Sequence, residues 1–591
     1  MVLNHQFKLL LFSYKTKRRT RIALILMLFY CAFLASQTWT QCAYHDEVIG
    51  DYELNKRISR KGESINILQQ GEYNWIEINY DNSGNQDINV FLYYKRDGEF
   101  KKDVSRVYKT LSPERKTIDL YIPNELTAKD NAIIQIGDNN GNLIIEEVRV
   151  HKKRFSFSFR IIVYFLVLFV TSFLLYALYK LVNYTENNDY TSIFWGSIIC
   201  AAILFWMEAI FTRGYLIQSV FHPSTDSVFS DFFWSVSNGR YRNPYEVHSN
   251  YPAMALLIFK FLFHVVPISE QGDSFYDLRN NEMIWMIFIV YTVLSLVLLV
   301  HLYCNKLEVE GVRRIIVSVG ICLSLPVLYL LERGNIALLA LLLTSFFCFN
   351  YESENKTVRE IAYFSLAFAA SIKIYPAVYG LLLLKKKKIK DAFRLTIYGM
   401  VMFFSPFALF GGVNGVKNMI LGLSEFSDIV QNNGYGSNLS LSNSLHLLLR
   451  NQSVLGSINV IIAIISILFL ITMTIAFIWA NDSYIEMLIL TLILVELPSF
   501  SMYYVSSFLL IPFAFLCKKK KYSVHFVLYF GLFATLCMPY ISDYAVGYRY
   551  VLSYSSIMQI GATCLLTLLA ISKALTEKGI KIKSASEKSI L

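Results

Sequence analysis

Charge is scarce in this 591-residue chain. Only 17% of its residues are Asp, Glu, Lys or Arg, while 55% are hydrophobic and 15% aromatic. A soluble globular domain carries roughly 25% charged residues, so that class is excluded. A disordered or fibrous chain is excluded by the same balance. The sequence also lacks any Cys-x-x-Cys pair. Eight of its nine cysteines lie in or beside apolar runs, and only Cys42 opens a polar stretch. Neither a disulfide framework nor a zinc site is therefore expected. There is no repeat of roughly 20–50 residues and no low-complexity segment. The net charge of +11 does not point to nucleic acid. Much of it sits in short Lys/Arg clusters beside apolar runs, where it sets membrane orientation.

What the chain has in abundance is apolar length. At ~20 residues per span, half of it supplies roughly a dozen crossings. A basic flank, Lys15 to Arg21, precedes an apolar run at 22–40, which reads as an uncleaved first span with a cytoplasmic N-terminus (residues 1–42). Further spans are expected near 160–182, 193–211, 284–304, 315–331, 336–350, 360–384, 393–412, 457–480, 484–498, 502–517, 523–541 and 551–573. Arg313-Arg314, Lys385–Lys388, Lys518–Lys521 and the basic tail 576–591 fall on one side only if 360–384 crosses twice, with its break at Lys373-Ile-Tyr-Pro376. The total is then about 14 spans. Two long non-cytoplasmic loops, 212–283 and 413–456, hold apolar stretches too short to span, Ala253–Pro267 and Leu441–Leu449.

Residues 43–154 are a different material. Trp75–Tyr80, Ile88–Tyr94, Thr117–Ile122, Ala132–Ile136 and Leu143–Val150 alternate apolar and polar, with Asn/Gly turns such as Asp81-Asn-Ser-Gly between them. That pattern predicts an antiparallel β-sandwich. Its place between two spans puts it outside the cytoplasm. Its aromatic residues are read as core rather than as sugar platforms.

The chemistry-bearing residues gather in the outer loops. Asp226 and Asp231 lie at the outer end of an apolar helix, where a carboxylate acts as general base or merely solvates a loop. Lys373 lies inside an apolar stretch, where an unpaired charge is costly. It either forms a structural ion pair or faces an anionic group in a cavity. Glu496, near a span end, reads as structural. No Asp-x-Asp occurs in the outer loops and the His residues lack metal spacing, so no metal and no cofactor is expected.

Five motifs appear in a particular order. They are Asp231-Phe-Phe-Trp with Gly239, Arg240, Pro244-Tyr245 and Tyr251-Pro252; Glu332-Arg-Gly-Asn335; Lys373-Ile-Tyr-Pro376 before a Lys run; Asn443-Ser-Leu445; and Pro498-Ser-Phe-Ser-Met-Tyr-Tyr504. Together they resemble bacterial polyprenol-phosphate-sugar-dependent mannosyltransferase-like proteins, which are membrane glycosyltransferases of the C-type fold. Two positions depart from that family: Ala253 stands where it has a second Pro, and Tyr503 where it often has His. The resemblance covers residues ~190–520 and leaves the β-domain outside.

It implies a polytopic α-helical membrane domain at 155–575 carrying the C-type glycosyltransferase fold. It also implies transfer of a sugar from a polyprenyl-phosphate donor to a hydroxyl of an envelope glycan or glycolipid. Asp231, or failing it Asp226, would be the base. Arg333 and Lys373 would meet the phosphate. Asn335, Arg240, Tyr245, Tyr251, Asn443, Ser444, Tyr503 and Tyr504 would contact substrate. The alternatives are a polymerase or ligase using an undecaprenyl-diphosphate donor, and a lipid-linked oligosaccharide flippase.

Overall fold

The computed structural model describes residues 44–58, 64–67, 75–84, 88–96, 99–100, 106–111, 113, 116–121, 132–136, 143–155, 190–211, 228–247, 249–265, 278–433, 438–449, 455–518, 524–539, 544–545 and 552–588. The expected spans at 22–40 and 160–182, and Asp226, lie outside the described residues.

The N-terminal part is β-rich. Its strands are β1 (Tyr44–Ile58), β2 (Ser64–Ile67), β3 (Trp75–Asn82), β4 (Ile88–Arg96), β5 (Glu99–Phe100), β6 (Arg106–Leu111), β7 (Thr117–Tyr121), β8 (Ala132–Ile136) and β9 (Leu143–Phe155). One antiparallel sheet has the order β1-β9-β3-β7, and the second runs β2-β8-β4-β5 with β6 also on β4. Period-2 alternation points one set of side chains inward. Ile76, Ile78, Tyr80, Val148 and Val150 of the first sheet share a core with Val90, Leu92, Ile134 and Ile136 of the second. Tyr80 is fully buried, as a core aromatic is. The five expected strands are present. β1 was not expected: its pairing with β9 shifts register between Val48 and Gly50 and again between Glu53 and Lys56, and polar residues Asp51, Glu53, Asn55 and Arg57 fill its exposed positions.

From Tyr190 onward the described chain is mostly helical, with one short antiparallel pair of strands, Tyr544–Ala545 and Leu552–Ser553. Among the described residues four helices are long and apolar enough to cross a membrane: Glu282–Leu307, Ile389–Leu409, Asn459–Trp479 and Met558–Gly579. A fifth candidate is the pair Gly311–Leu323 and Leu325–Arg333, bent by 52° at Ser324 just before Pro326. The Glu282–Leu307 helix is apolar on all sides. Ile284, Phe288, Leu299 and Tyr303 are buried, while Met286, Ile289, Val290, Val293, Leu294 and Val297 are each more than half exposed. Such a surface is stable only against lipid or another protein. Other expected spans are shorter or interrupted helices, such as Ala337–Asn350. The stretch 360–384 has the expected break. Its first helix, Lys356–Ile372, stops at Lys373, whose backbone is extended, and a 3-10 turn over Tyr375–Gly380 leads into Leu381–Lys385. Pro376 supplies no N–H and disfavours helix at the preceding residue.

The helices alternate in direction between two chemically distinct ends. At one end Lys306 lies over Phe349 and Phe515, and Lys518 pairs with Glu308 at 2.6 Å. Lys388 approaches Glu352 there, and Lys385 and Lys386 grip the buried Glu486 at 3.1 and 3.3 Å. Lys385 also donates to the carbonyls of Phe477 and Ala480. The clusters Lys385–Lys388 and Lys518 thus share one end. The opposite ends of the same helices surround Asp231.

Candidate active site

Asp231 sits in the first turn of the short helix Ser230–Asn238. The chain enters that helix through Phe229, whose φ of 59° is left-handed. Such a conformation costs a bulky residue roughly 1–2 kcal/mol. Neighbouring contacts hold it. The Phe229 N–H donates to the Glu332 carbonyl at 2.6 Å, Arg279 donates to the Val228 carbonyl at 2.8 Å, and the Phe229 ring packs on Trp285 and Phe288.

The other half of the site is the turn Arg333-Gly334-Asn335. Gly334 closes the helix Leu325–Arg333 with φ of 61°. A Cβ there would lie 3.1 Å from the Phe288 ring and 3.2 Å from both Phe229 Cα and Phe232 Cβ. Conformation and space both demand glycine. Gly334→Ala should cost roughly 1–3 kcal/mol and lower the thermal unfolding temperature in detergent. An unchanged unfolding temperature would show that the turn tolerates a side chain.

This turn brings two donors to one carboxylate. Arg333 Nη2 donates to Asp231 Oδ1 at 2.5 Å, and Asn335 Nδ2 donates to Asp231 Oδ2 at 2.6 Å. Asn335 Oδ1 accepts the Ala337 N–H at 2.9 Å. That bond caps the helix Ala337–Asn350 and fixes which amide atom faces the acid. Asn335 Nδ2 also reaches the Tyr251 hydroxyl at 3.3 Å. Burial, and then the nearby charge of Asp231, hold the Tyr251 hydroxyl above the usual phenol range. Lys373 arrives from the break after Ile372. Its Nζ lies 4.3 Å over the Tyr251 ring and feels the charge of Asp231. Among the described residues it makes no hydrogen bond or ion pair. Tyr504, in the 3-10 turn Tyr503–Leu509, stands beside Asn335, Asp231 and Arg333.

Five residues expected at the site, Asp231, Tyr251, Arg333, Asn335 and Lys373, thus meet, and Tyr504 joins them. The others sit differently. Arg240 donates to the Tyr241 hydroxyl at 2.6 Å and lies over its ring. Tyr245 stacks on Phe407 and donates to the Tyr251 carbonyl at 2.9 Å, so it orients Tyr251. Tyr503 packs on Tyr329. Asn443 and Ser444 are buried and bond back to the carbonyls of Asn438 and Ser440, at 2.8 and 3.0 Å. Sequence reasoning missed Asn438. Its amide donates to the Ser499 carbonyl at 3.0 Å, and its Oδ1 accepts from the Ser440 and Ser501 N–H groups at 3.0 and 2.8 Å. It ties the second long loop to the turn leading into Tyr503 and Tyr504. Its only sequence signal is a polar run, Asn438-Leu-Ser-Leu-Ser-Asn-Ser444, beside an apolar helix. Glu496 is buried and accepts from Thr567 at 2.9 Å, a structural bond between helices.

Chemically, the arrangement offers a carboxylate whose oxygens each keep a lone pair, with two cations within reach of its charge. Residues 251–502 match the model of glycosyltransferase family 87. That stretch contains Tyr251, Arg333, Asn335, Lys373, Asn443 and Ser444; Asp231 precedes it, and Tyr503 and Tyr504 follow it directly. No curated protein matches the chain. The family match supports the membrane glycosyltransferase resemblance that the motifs carry and indicates glycosyltransferase activity.

Proposed function

We propose that this protein transfers a sugar from a polyprenyl-phosphate donor to a hydroxyl of an envelope glycan or glycolipid, at the extracytoplasmic face of the cytoplasmic membrane. The observation that carries this reading is the convergence of Asp231, Arg333, Asn335, Tyr251 and Lys373 at the bundle end away from the Lys clusters. Asp231 takes the proton of the acceptor hydroxyl. The oxygen then bonds to the anomeric carbon from the face opposite the leaving group, the bond to the phosphate oxygen breaks, and its electron pair leaves with the lipid phosphate. The anomeric configuration inverts. Lys373 and Arg333 meet the charge that develops on the phosphate. Lys373 suits this task best, because its ammonium has no described partner to give up. A polyprenyl tail fits a bundle whose outer helices expose apolar faces. The C-type fold with about 14 spans belongs to the same proposal. So does a sandwich outside the cytoplasm that positions substrate or partner.

The test is a membrane assay with radiolabelled polyprenyl-phosphate sugars, comparing wild type with Asp231→Ala and Asp226→Asn. Transfer by wild type that is lost in Asp231→Ala is the expected result. Loss in Asp226→Asn with full activity in the Asp231 variant would move the base. No transfer from any polyprenyl-phosphate sugar would sink the donor class.

Orientation is tested separately. In a cysteine-free background, single cysteines at the exposed positions Arg242 and Lys387 are probed on intact cells with an impermeant thiol reagent. Labelling at 242 and not at 387 is expected. The reverse would place the site in the cytoplasm.

A further inference from the structure

The helices Leu381–Lys385 and Ile389–Phe404 are joined by a tight turn at Lys386-Lys387-Lys388. The turn closes the first helix. The Lys387 N–H donates to the Leu384 carbonyl at 3.0 Å, and the Lys388 N–H to that of Leu383 at 2.8 Å. Lys387 has φ of 57°. Glycine takes that conformation freely and is the usual residue at such a helix end; a lysine adopts it only at a cost.

Many cations at this end of the bundle have partners. Lys385 and Lys386 share Glu486, Lys388 approaches Glu352, and Arg394 pairs with Glu360 and stands 3.6 Å from Asp391. Lys518 has Glu308, Lys573 has Glu577, and Lys306 and Lys578 lie over aromatic rings. Lys387 and Lys390 are different. Both are exposed, and among the described residues their side chains make no hydrogen bond, ion pair or ring contact.

These two lysines head an apolar stripe. Ile389, Phe393, Ile397, Met400, Val401 and Phe404 are each 43–68% exposed. At 100° per residue they share with Lys390 a sector about 120° wide. From Ile389 to Val401 the stripe is about 18 Å long at ~1.5 Å per residue, close to one leaflet of a ~30 Å hydrocarbon core. It belongs to Ile389–Leu409, one of the helices long and apolar enough to cross a membrane.

We infer that this stripe, with Lys387 and Lys390 at its head, is a binding site for one anionic phospholipid. The acyl chains lie along the apolar residues, and the two ammonium groups meet the headgroup. A zwitterionic headgroup brings its own cation to the phosphate and suits the pair less well. The site is remote from Asp231 and does not depend on the transferase reading.

The experiment uses the full chain in detergent. Native mass spectrometry measures binding of phosphatidylglycerol and of phosphatidylcholine with the same acyl chains. Wild type should bind the first phosphatidylglycerol more tightly than phosphatidylcholine. Lys387→Gly and Lys390→Gln should each weaken phosphatidylglycerol binding about fivefold, and the double variant about 25-fold. Phosphatidylcholine binding should hold. Lys387→Gly suits the left-handed position, so its unfolding temperature without lipid should hold or rise; Lys390→Gln leaves the turn intact and carries the test should the glycine disturb it. Equal affinity of wild type for the two lipids, or unchanged phosphatidylglycerol binding in the double variant, overturns the inference. So does an equal loss in Lys356→Gln, an exposed lysine on the neighbouring helix Lys356–Ile372, which would make net charge the cause. Millimolar sn-glycerol 3-phosphate should leave the bound lipid in place; displacement by it would reduce the site to a phosphate contact with no lipid requirement.

Discussion

Asp231→Asn should lose about 10²–10⁴-fold in turnover, the scale of a missing general base. The same substitution also disturbs structure. Both carboxylate oxygens accept, one from Arg333 and one from Asn335. An amide at 231 must turn its NH₂ toward one of these donors. Asn335 cannot simply flip, because its Oδ1 is held by the Ala337 N–H. The single variant should therefore be both inactive and less stable, by about 1–3 kcal/mol for the unmade bond. The exchange variant Asp231→Asn with Asn335→Asp separates the two effects. It restores one donor facing one acceptor and leaves the acid one position removed from the proton. Its unfolding temperature should return toward wild type while turnover stays low. Recovery of turnover along with stability would mean that Asp231 serves only to hold the Arg333 turn.

Lys373 and Arg333 should part company when truncated. Lys373→Ala removes a cation with no described ion-pair partner, so the unfolding temperature in detergent should hold. Donor binding should weaken by about 10- to 150-fold, the equivalent of a charge-assisted contact of ~1.5–3 kcal/mol. Arg333→Ala leaves the Asp231 carboxylate, 18% exposed, without its counter-charge. Stability and turnover should fall together, because removing one member of a largely buried pair strands the other. Donor binding measured by isothermal titration, alongside thermal unfolding, reads both. A destabilised Lys373→Ala with unchanged donor affinity would assign Lys373 to the scaffold.

The parts of the fold that were legible are those written in local pattern. Ile76, Ile78 and Tyr80 alternate, and they form core. Pro376 inside an apolar run announced the break at Lys373. β1 was hidden because its solvent face carries the charges Asp51, Glu53 and Arg57 that read as loop. At the site, residue types and motif order singled out Asp231, Arg333 and Asn335. Their mutual bonds, across separations of more than 100 residues, have no local signature. Nor does the left-handed Phe229, a conformation that only the packed neighbours make affordable. Tyr245 and Asn443 show the converse. A motif marked both as contacts for substrate, and the structure gives both hydrogen bonds that shape the backbone around the site.

The hydrogen bonds of Asn438 have a consequence for exchange with solvent. The Leu439 amide donates to the Ser501 carbonyl and the Ser501 amide to Asn438 Oδ1, so these two close onto one another across the two segments. Neither proton can be released without parting the second long loop from the turn before Tyr503. In deuterium exchange they should behave as one cooperative unit with a single opening free energy. Because Tyr504 is carried by the same turn, the opening that exposes Leu439 also withdraws a wall of the Asp231 site. A donor too bulky to slip past the closed loop would then enter at a rate set by that opening, and a ligand that fills the site would slow exchange at Leu439 as much as at Ser501.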